Sequence, residues 1–488
     1  MKKVLIWIAL LLFAAITVLV FRTAFYFNNK QFQVSAALSP VPIERGEVVK
    51  HLSDVIKIPT ISYDSPEQVD YSQFLALHQY LQQTFPLVHQ KATVTKVNDY
   101  SLLFELKGSD ATLKPALLMG HMDVVPADEQ TLNQWQHPPF SGAIAGNAIW
   151  GRGAIDDKVT VMAVLEATEK LLEQGKTFKR SLYLAFGHDE EVGGKQGAKA
   201  IAEHLKQQNI QFEYVLDEGG AVTKGLMKGV AQPVAMVGIA EKGFVNFRLS
   251  VKSEGGHSSQ PPNPTAVSIL SQAIVQVQNS PFASDLNFIR QTFDYVGYYT
   301  PLSSRLPMAN LWLFSPIVEK ALLANPSTAA SIHTTIAPTM LQGSSKSNVL
   351  PSLATAVVNF RIMPGDTIAS VEQHIRNAID DPRVEISSFM GNEASKVSST
   401  NSLGFKLIEK TIRRLDDSIL VAPYLVQGGT DSKYFYALSD NVYRFLMVRL
   451  NQDTIKRFHG IDEQIPIDDY MQAIQFYYAL IEQTVQPQ

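Results

Sequence analysis

The sequence predicts an α/β fold, in which helices flank a mostly parallel sheet, with a smaller α+β lid domain inserted into it. Short apolar runs such as 182–186 contain no polar residue, which is typical of strands covered on both faces. These runs alternate with helical segments such as 158–174, as expected for a sheet with helix layers. The pattern changes from residue 239 onward. Residues 244–251 and 355–362 alternate between apolar and polar side chains, as in strands with one face in solvent.

The length of the chain sets its division into domains. A chain of 488 residues is too long for one compact core, so two domains with appendages are expected. The predicted units are an N-terminal anchor (1–27), a polar tether (28–42), the first part of the larger domain (43–238), the inserted lid (239–394) and the second part of the larger domain (395–488). The middle of the insert, 281–338, is rich in aromatic residues and proline, and its purpose does not follow from the sequence.

The N-terminus carries an apolar run over residues 4–21, which only Thr17 interrupts and which Lys2 and Lys3 precede. About 18 apolar residues can cross a bilayer, whereas a signal peptide has a shorter apolar region followed closely by a cleavage site. We therefore predict an uncleaved single-pass transmembrane helix, with the body of the protein exported, to the periplasmic side if the source is bacterial. A long cleaved signal peptide is the alternative, and it also places the protein outside the cytosol.

Composition excludes several kinds of site and partner. The chain has no cysteine, so disulfides, zinc–thiolate sites and thiol catalysis are excluded, and any metal must be bound by His and carboxylate side chains. The formal net charge is −4 at pH 7, and no dense run of Lys and Arg occurs, which argues against a nucleic-acid partner.

Five short acidic or histidine motifs, each near the end of an apolar run, are the most informative feature of the chain. They are Gly-His-Met-Asp (120–123), Gly-Arg-Gly-Ala-Ile-Asp-Asp-Lys (151–158), His-Asp-Glu-Glu-Val-Gly-Gly (188–194), Leu-Asp-Glu-Gly-Gly (216–220) and Phe-His-Gly (458–460). Ligands in open α/β sheets bind beyond the carboxyl ends of strands, so we expect these side chains to meet at one rim. Two imidazoles and several carboxylates suit two divalent metals that share one water.

Each motif also has a plainer interpretation. A loop His with a neighbouring Asp, as at His121 and Asp123, is common, and Asp156 fits an ordinary helix cap. Glu190 and Glu191 fit a solvated acidic turn, although adjacent carboxylates after a buried strand repel each other unless a cation or a proton compensates. The prediction of a metal site therefore depends on the whole set of motifs in this order.

On these motifs the chain resembles the M20 metallopeptidases, which are co-catalytic dizinc enzymes that cleave amide bonds next to a free carboxylate. The forms of the second, third and fourth motifs are most similar to one branch of that family. This branch contains the membrane-anchored Gly-X carboxypeptidases (carboxypeptidase S) and the secreted N-fatty-acyl-amino-acid synthase/hydrolases. The resemblance covers nearly everything after the tether, and it implies an α/β metallopeptidase catalytic domain with a lid.

The resemblance implies a role for seven residues of the five motifs. These roles are a bridging metal ligand at Asp156, ligands of one metal at His121 and Asp217, ligands of the other metal at Glu191 and His459, a general base at Glu190, and a residue that orients His121 at Asp123. The implied metal is Zn²⁺, two per subunit, with Co²⁺ or Mn²⁺ as substitutes. The peptide bond between Asp156 and Asp157 is expected to be cis.

The resemblance also implies groups that bind the substrate. His257 matches the residue that polarises the scissile carbonyl, often from a partner subunit, so a homodimer is compatible with the pattern. Asn348 and Arg361 match substrate-binding positions, and the planar guanidinium of an Arg suits a terminal carboxylate. Gly429 and Thr430 match a loop that offers backbone groups to the substrate. From the residues alone, His257, Asn348 and Arg361 read as a turn His, a capping Asn and a surface-strand Arg.

The combined prediction is a membrane-anchored metal-dependent hydrolase, either a carboxypeptidase or an N-acyl-amino-acid amidohydrolase, that uses a dizinc-activated water. Its substrates are small peptides or N-acyl amino acids. One alternative is a non-catalytic membrane receptor or scaffold that retains the fold. Another is an exported dimetal aminopeptidase, which needs an acidic group for the substrate ammonium, whereas Arg361 favours a carboxylate.

Overall fold

The computed structural model describes residues 1–227 and 229–486. Its helices, numbered in chain order, are α1 (Lys2–Phe25), α2 (Arg45–Ile56), α3 (Tyr71–Thr84), α4 (Pro86–Lys91), α5 (Lys158–Glu173), α6 (Ala198–Gln207), α7 (Ala266–Gln278), α8 (Asn287–Val296), α9 (Leu302–Ala309), α10 (Leu311–Leu323), α11 (Pro326–Ala329), α12 (Ile368–Ile379), α13 (Leu403–Leu415) and α14 (Ile467–Val485).

The strands, numbered in the same way, are β1 (Thr93–Val97), β2 (Ser101–Leu106), β3 (Ala116–His121), β4 (Ala143–Ala145), β5 (Ala148–Trp150), β6 (Leu182–Gly187), β7 (Tyr214–Asp217), β8 (Val222–Thr223), β9 (Val234–Glu241), β10 (Gly243–Lys252), β11 (Gly256–His257), β12 (Thr335–Gln342), β13 (Val349–Leu350), β14 (Leu353–Ile362), β15 (Val384–Asn392), β16 (Leu420–Val426), β17 (Val442–Arg444), β18 (Arg449–Leu450) and β19 (Gln464–Pro466).

The large sheet has the strand order β1-β2-β6-β3-β7-β17-β9-β8-β18, and β16 pairs with β9. Its centre is parallel, because β3 pairs in parallel with β6 and β7, and β7 with β17. Every residue of β3 is buried. Leu118 points into the core that contains α5, whereas Leu117 points into the core that contains α6. Helices therefore cover both faces, which confirms the predicted α/β class.

A second sheet is antiparallel, with the order β12-β14-β10-β15. Along β10 the buried residues alternate with more exposed ones, and the buried side packs against α7 and α12. This is the predicted α+β lid, whose sheet has one face exposed to solvent. The predicted boundary at residue 239 lies within β9, which continues to Glu241 in the large sheet. Only Lys242 separates β9 from β10, so no long connecting turn marks the passage from one sheet to the other in the sequence.

Helix α8 of the 281–338 segment lies against the larger domain. Helix α8 packs on β16, and the hydroxyl of Thr292 donates to the carbonyl of Pro423 at 2.7 Å. Phe288 belongs to the main core of the larger domain. Helix α8 therefore packs with the larger domain, although it lies within the predicted lid range.

The N-terminal helix α1 is long and apolar enough to cross a membrane, although a signal sequence would pass the same test. The predicted tether that follows it lies along the larger domain. Gln31 is buried, and its side-chain amide donates to the carbonyl of Val421 at 2.9 Å and accepts from the amide of Val421 at 2.7 Å. The amide of Phe32 donates to Glu409 at 2.9 Å. These bonds fix residues 31 and 32 to the domain surface.

Candidate metal centre

Three neighbouring strands end at one rim of the large sheet. Strand β3 ends at His121 and β7 ends at Asp217, and β6 ends opposite His121 at Gly187. Glu190 follows β6 by three residues. The chain thus brings the polar residues of three of the five motifs to the carboxyl end of the parallel strands, as the sequence predicts.

Asp156 joins the two histidines of the predicted metal site. Its Oδ1 lies 3.0 Å from Nε2 of His121, and its Oδ2 lies 3.1 Å from Nε2 of His459. Oε2 of Glu191 lies 3.0 Å from the same nitrogen of His459. The peptide bond between Asp156 and Asp157 is cis. Because each Asp156 oxygen faces a different imidazole, its carboxylate has the arrangement expected of a ligand between two metals. We call His121, Asp156, Glu191 and His459 the ligand cluster.

Asp123 connects the ligand cluster to the turn that carries the predicted base. Nδ1 of His121 lies 3.0 Å from the carbonyl oxygen of Asp123 and 3.4 Å from its carboxylate. The same carboxylate accepts the backbone N–H groups of Glu190 and Glu191, each at 3.1 Å, and the hydroxyl of Ser62 at 2.7 Å. Asp123 therefore contacts the ring of His121 and also holds the backbone of the Glu190–Glu191 turn, which the sequence does not reveal.

Glu463 and Arg152 hold the second half of the cluster, and the sequence reasoning missed both. The carboxylate of Glu463 accepts the N–H groups of Ile155 at 2.9 Å and Asp156 at 3.2 Å, and it pairs with Arg152 at 2.7 Å. Arg152 also donates to the carbonyl of His459 at 3.2 Å. Both side chains are buried. The only available signal was their position: Arg152 lies within the Gly-Arg-Gly motif, and Glu463 follows His459 by four residues.

His459 is presented from a tight loop. Its backbone is left-handed, with φ 55°. At the following Gly460 a Cβ atom would lie 2.3 Å from the carbonyl oxygen of Lys456, so a side chain there would clash with the backbone. The sequence Phe-His-Gly thus meets a steric requirement of this loop, which brings a histidine from the end of the chain to the rim.

The electrostatics of the cluster favour a bound cation. Burial raises the pKa of Glu190 to about 8, and burial also raises the pKa of Glu191 and that of Asp217. Hydrogen bonds from His459 to the carboxylates of Asp156 and Glu191 raise the pKa of His459 to about 10. A positive charge at this position is stabilised by the surrounding carboxylates, as a divalent cation would be.

A metal fits the donor set for a second reason. His121, Asp156 and Glu191 each offer a ligand atom, and these atoms lie within 4.8 Å of one another. In the described part of the chain, the buried Oε1 of Glu191 has no hydrogen-bond partner. A buried carboxylate oxygen without a partner is costly, and a divalent cation would compensate it. Two imidazoles with several carboxylates and no thiolate suit Zn²⁺ and related divalent metals.

Asp217 lies one strand away from His121 and is buried. Its Oδ2 accepts the backbone N–H of Ser432 at 2.8 Å. Ser432 follows the glycine loop that contains Gly429 and Thr430. Thr430 donates its backbone N–H and its hydroxyl to Glu241, each at 3.1 Å, whereas Gly429 is exposed. The loop is thus anchored to the rim through Thr430, and Gly429 is accessible.

The predicted substrate-binding groups of the lid lie elsewhere. His257 and Asn348 are adjacent, because β11 pairs with β13 and the N–H of Ser258 donates to the carbonyl of Asn348 at 3.1 Å. Arg361 lies on β14 opposite Phe244, with its guanidinium 5.7 Å from the ring centre. Among the residues that the structure describes, no hydrogen bond or ion pair joins His257, Asn348 or Arg361 to the ligand cluster.

Comparison with known proteins supports the same family. The sequence pattern of peptidase family M20/M25/M40 matches residues 117–483, three quarters of the chain. The chain belongs to peptidase family M20. It is 40% identical over 469 residues to "Probable carboxypeptidase S-like 2" of Dictyostelium discoideum, with 94% of this chain and 90% of that protein covered. It is 39% identical over 451 residues to an N-fatty-acyl-amino acid synthase/hydrolase of Xenopus tropicalis, with 90% and 86% covered.

Solved structures share the fold, among them one of an M20 family member. A metallo-carboxypeptidase of Sulfolobus solfataricus superposes with a TM-score of 0.65 at 19% identity, covering 90% of this chain and 99% of that one. Human carnosine dipeptidase 1 gives a TM-score of 0.62 at 15% identity, covering 91% and 96%. Family membership and the cluster of His, Asp and Glu side chains make this M20 chain an enzyme that hydrolyses amide bonds with a divalent metal.

Proposed function

We propose that this M20 enzyme hydrolyses an amide or peptide bond adjacent to a free carboxylate, with two Zn²⁺ ions and Glu190 as the general base. The observation that carries this proposal is the position of Asp156, whose two oxygens face His121 and His459. The names of the relatives support two substrate classes, small peptides and N-acyl amino acids. Co²⁺ or Mn²⁺ would substitute for Zn²⁺.

Five residues would hold the metals. Asp156 would bridge the two ions, with His121 and Asp217 on one and Glu191 and His459 on the other. Bound there, the metals would lower the pKa of a shared water and polarise the scissile carbonyl.

Glu190 would move the proton. Its backbone N–H is held by Asp123, as is that of Glu191, so the turn presents adjacent carboxylates with fixed backbones. Glu191 faces His459 and serves as a ligand, which leaves Glu190 to accept a proton from the attacking water. Glu190 would then deliver this proton to the leaving nitrogen. Asp123 would keep His121 in a fixed orientation throughout.

The lid would recognise the substrate. In the described part of the chain, no carboxylate lies within ion-pair distance of Arg361, so its guanidinium is available for the terminal carboxylate of a substrate. His257 would donate to the developing oxyanion, from the same chain or from a partner in a homodimer. Asn348 and the backbone of Gly429 and Thr430 would contact the substrate.

We propose further that α1 is a membrane anchor and that the catalytic domain lies on the exported side. Its apolar stretch is not buried against the rest of the chain. Lys2 and Lys3 precede this stretch and favour a cytoplasmic N-terminus.

The test uses the full chain in detergent, with metal content measured by mass spectrometry. Paired panels of N-acyl amino acids and dipeptides are assayed with Zn²⁺, after chelation, and with Glu190→Gln. The Glu190→Gln variant should keep two metals per chain and lose about 10²–10⁴-fold in kcat, because it retains the shape but not the base. The exposed Glu203→Gln on α6 is the matched control and should behave as wild type.

Each outcome of this test favours one of the candidate functions. Zinc-dependent cleavage that Glu190→Gln abolishes supports the hydrolase, and the preferred panel identifies the substrate class. Cleavage only of substrates with a free amine and a blocked carboxyl terminus would favour an aminopeptidase. A folded, fully metallated protein without turnover would contradict the proposal and favour the receptor alternative.

A further inference from the structure

Helix α10 carries apolar side chains on both its inner and its outer side, and the exposed Lys320 also lies on the outer side. Its inner residues Leu311, Phe314, Val318 and Leu322 pack in a small core with α9. On its outer face Trp312 is 62% exposed and Ile317 is 65% exposed, with Leu313 and Leu323 also exposed. Residues four apart lie on the same side of a helix, so Leu313 and Ile317 form one stripe, with Trp312 beside it.

The preceding helix extends this surface. Leu302 and Leu306 of α9 are exposed and also lie four residues apart. Helices α9 and α10 pack against each other. We call the exposed side chains of Leu302, Leu306, Trp312, Leu313, Ile317 and Leu323 the apolar platform. Exposed apolar surface on neighbouring helices marks a binding surface for a protein or a membrane.

The platform is joined directly to the end of α1. The guanidinium of Arg22 donates to the carbonyl of Ala309 at 3.0 and 3.2 Å. The amide of Asn310, at the junction of α9 and α10, donates to the hydroxyl of Thr23 at 3.1 Å. Arg22 follows directly after the apolar run 4–21. The platform is therefore attached at the level where the apolar part of α1 ends.

The chain that follows α1 is also held against the domain. Phe27 is buried in the core that contains Met308 and Val318. Four residues later Gln31 bonds to both backbone groups of Val421 on β16. The chain between α1 and the domain is thus held at both ends, and α1 keeps its position relative to α9 and α10.

We propose that the apolar platform lies in the interface of the same bilayer that α1 crosses, as a second and monotopic membrane contact. Continuity with α1 favours lipid over a protein partner, because the lipid around the last turn of α1 lies next to α9. Trp312 suits the interfacial region, where Trp is enriched. A helix lying in the interface buries its apolar face against the acyl chains. This inference rests on the proposed membrane anchor and not on the proposed catalytic mechanism.

The absence of cysteine allows a direct test with the full chain. Single-cysteine variants Trp312→Cys and Ile317→Cys are labelled with an environment-sensitive fluorophore and placed in nanodiscs of phosphatidylcholine and phosphatidylglycerol. Quenching by nitroxide-labelled lipids is then measured. Ala14→Cys, in the middle of α1, reports on the anchor. Val275→Cys on α7, at a site 54% exposed, is the matched control for an exposed apolar residue outside the platform.

We expect nitroxide lipids to quench the labels at residues 312 and 317 at least twofold more than the label at residue 275. Quenching at residue 14 without quenching at 312 and 317 would overturn the platform while keeping the anchor. Platform labels that are shielded from aqueous iodide but not quenched by lipid would also overturn it, because a protein such as a second copy would then cover the surface. No quenching at residue 14 would overturn the anchor and the platform together, and the hydrolase assay would be unaffected.

Discussion

The rim of the large sheet and the lid differ in how far their functional groups are organised before any ligand arrives. At the rim, His121 is buried and Asp156 contacts two histidines from distant parts of the chain. In the lid, His257 and Arg361 are exposed, and the bonds of the His257 ring are to Ser259, two residues away. The fold thus organises the cluster of His, Asp and Glu side chains, whereas the groups proposed to recognise the substrate are free to meet a ligand.

The strongest test of this difference is at the bridging position. We expect Asp156→Asn to lose metal from both positions and to lower kcat/KM by roughly 10⁴-fold or more, because a neutral amide cannot bridge two cations. Metal content and turnover are measured together. A variant that retained two metals and most of its activity would show that Asp156 is not the bridge.

A substitution at Arg361 in the lid should weaken substrate binding and leave metal binding unchanged. We expect Arg361→Ala to keep its metals and to raise KM by about 10–100-fold, because a charge-assisted hydrogen bond to a carboxylate contributes about 1.5–3 kcal/mol. Arg361→Lys should recover part of this loss, because it keeps the charge but not the bidentate geometry. Loss of metal from Arg361→Ala, or a fall in kcat with unchanged KM, would remove the distinction between the two regions.

A smaller effect is expected at Glu463, which supports the proposed metal ligands without being one of them. Glu463→Gln keeps the shape of a side chain that holds Arg152 and the backbone of Ile155 and Asp156, but it removes the charge. We expect zinc affinity to fall by about 10–100-fold, as is usual when a supporting partner of a metal ligand is lost. Competition with a chelator measures this affinity. The control is Glu385→Gln in the lid, an exposed partner of Lys252, which should leave the affinity unchanged.

The same two regions show what the sequence could predict. The strands before His121 and Asp217 were predictable because their runs are fully apolar, and the convergence of polar residues follows from the parallel order of the strands. The family motifs also gave the cis peptide after Asp156. The roles of the individual site residues and the domain boundaries stay predictions, which the experiments above address.

Other features depended on tertiary contacts that no local pattern records. Glu463 meets Ile155 across 308 positions of the chain, and the sequence offered only an acidic residue in a loop. The segment 281–338 was rich in aromatic residues and proline, but its composition did not reveal that α8 packs on β16 and α9 on α1. The predicted tether was polar, yet Gln31 uses that polarity to bond to the edge of β16.

The last expected effect concerns the pH dependence of stability. His78 on α3 is buried, and its Nε2 lies 3.0 Å from the carbonyl oxygen of Tyr100. Burial lowers the pKa of His78 to about 4 from 6.5. The folded protein therefore keeps this ring neutral while the unfolded chain takes up a proton below about pH 6.5. The stability that His78 contributes is complete above that pH and is lost as the pH falls toward 4.

At pH 5 this loss amounts to about 2 kcal/mol relative to pH 7.5, given a shift from 6.5 to about 4. His78→Gln keeps a donor for the carbonyl of Tyr100 and cannot titrate, so its free energy of unfolding should fall less between these two pH values. Urea unfolding of both metal-free proteins measures the difference. Parallel pH profiles for the two proteins would show that His78 takes up its proton equally in the folded and the unfolded protein. The acid sensitivity of the larger domain would then have another source.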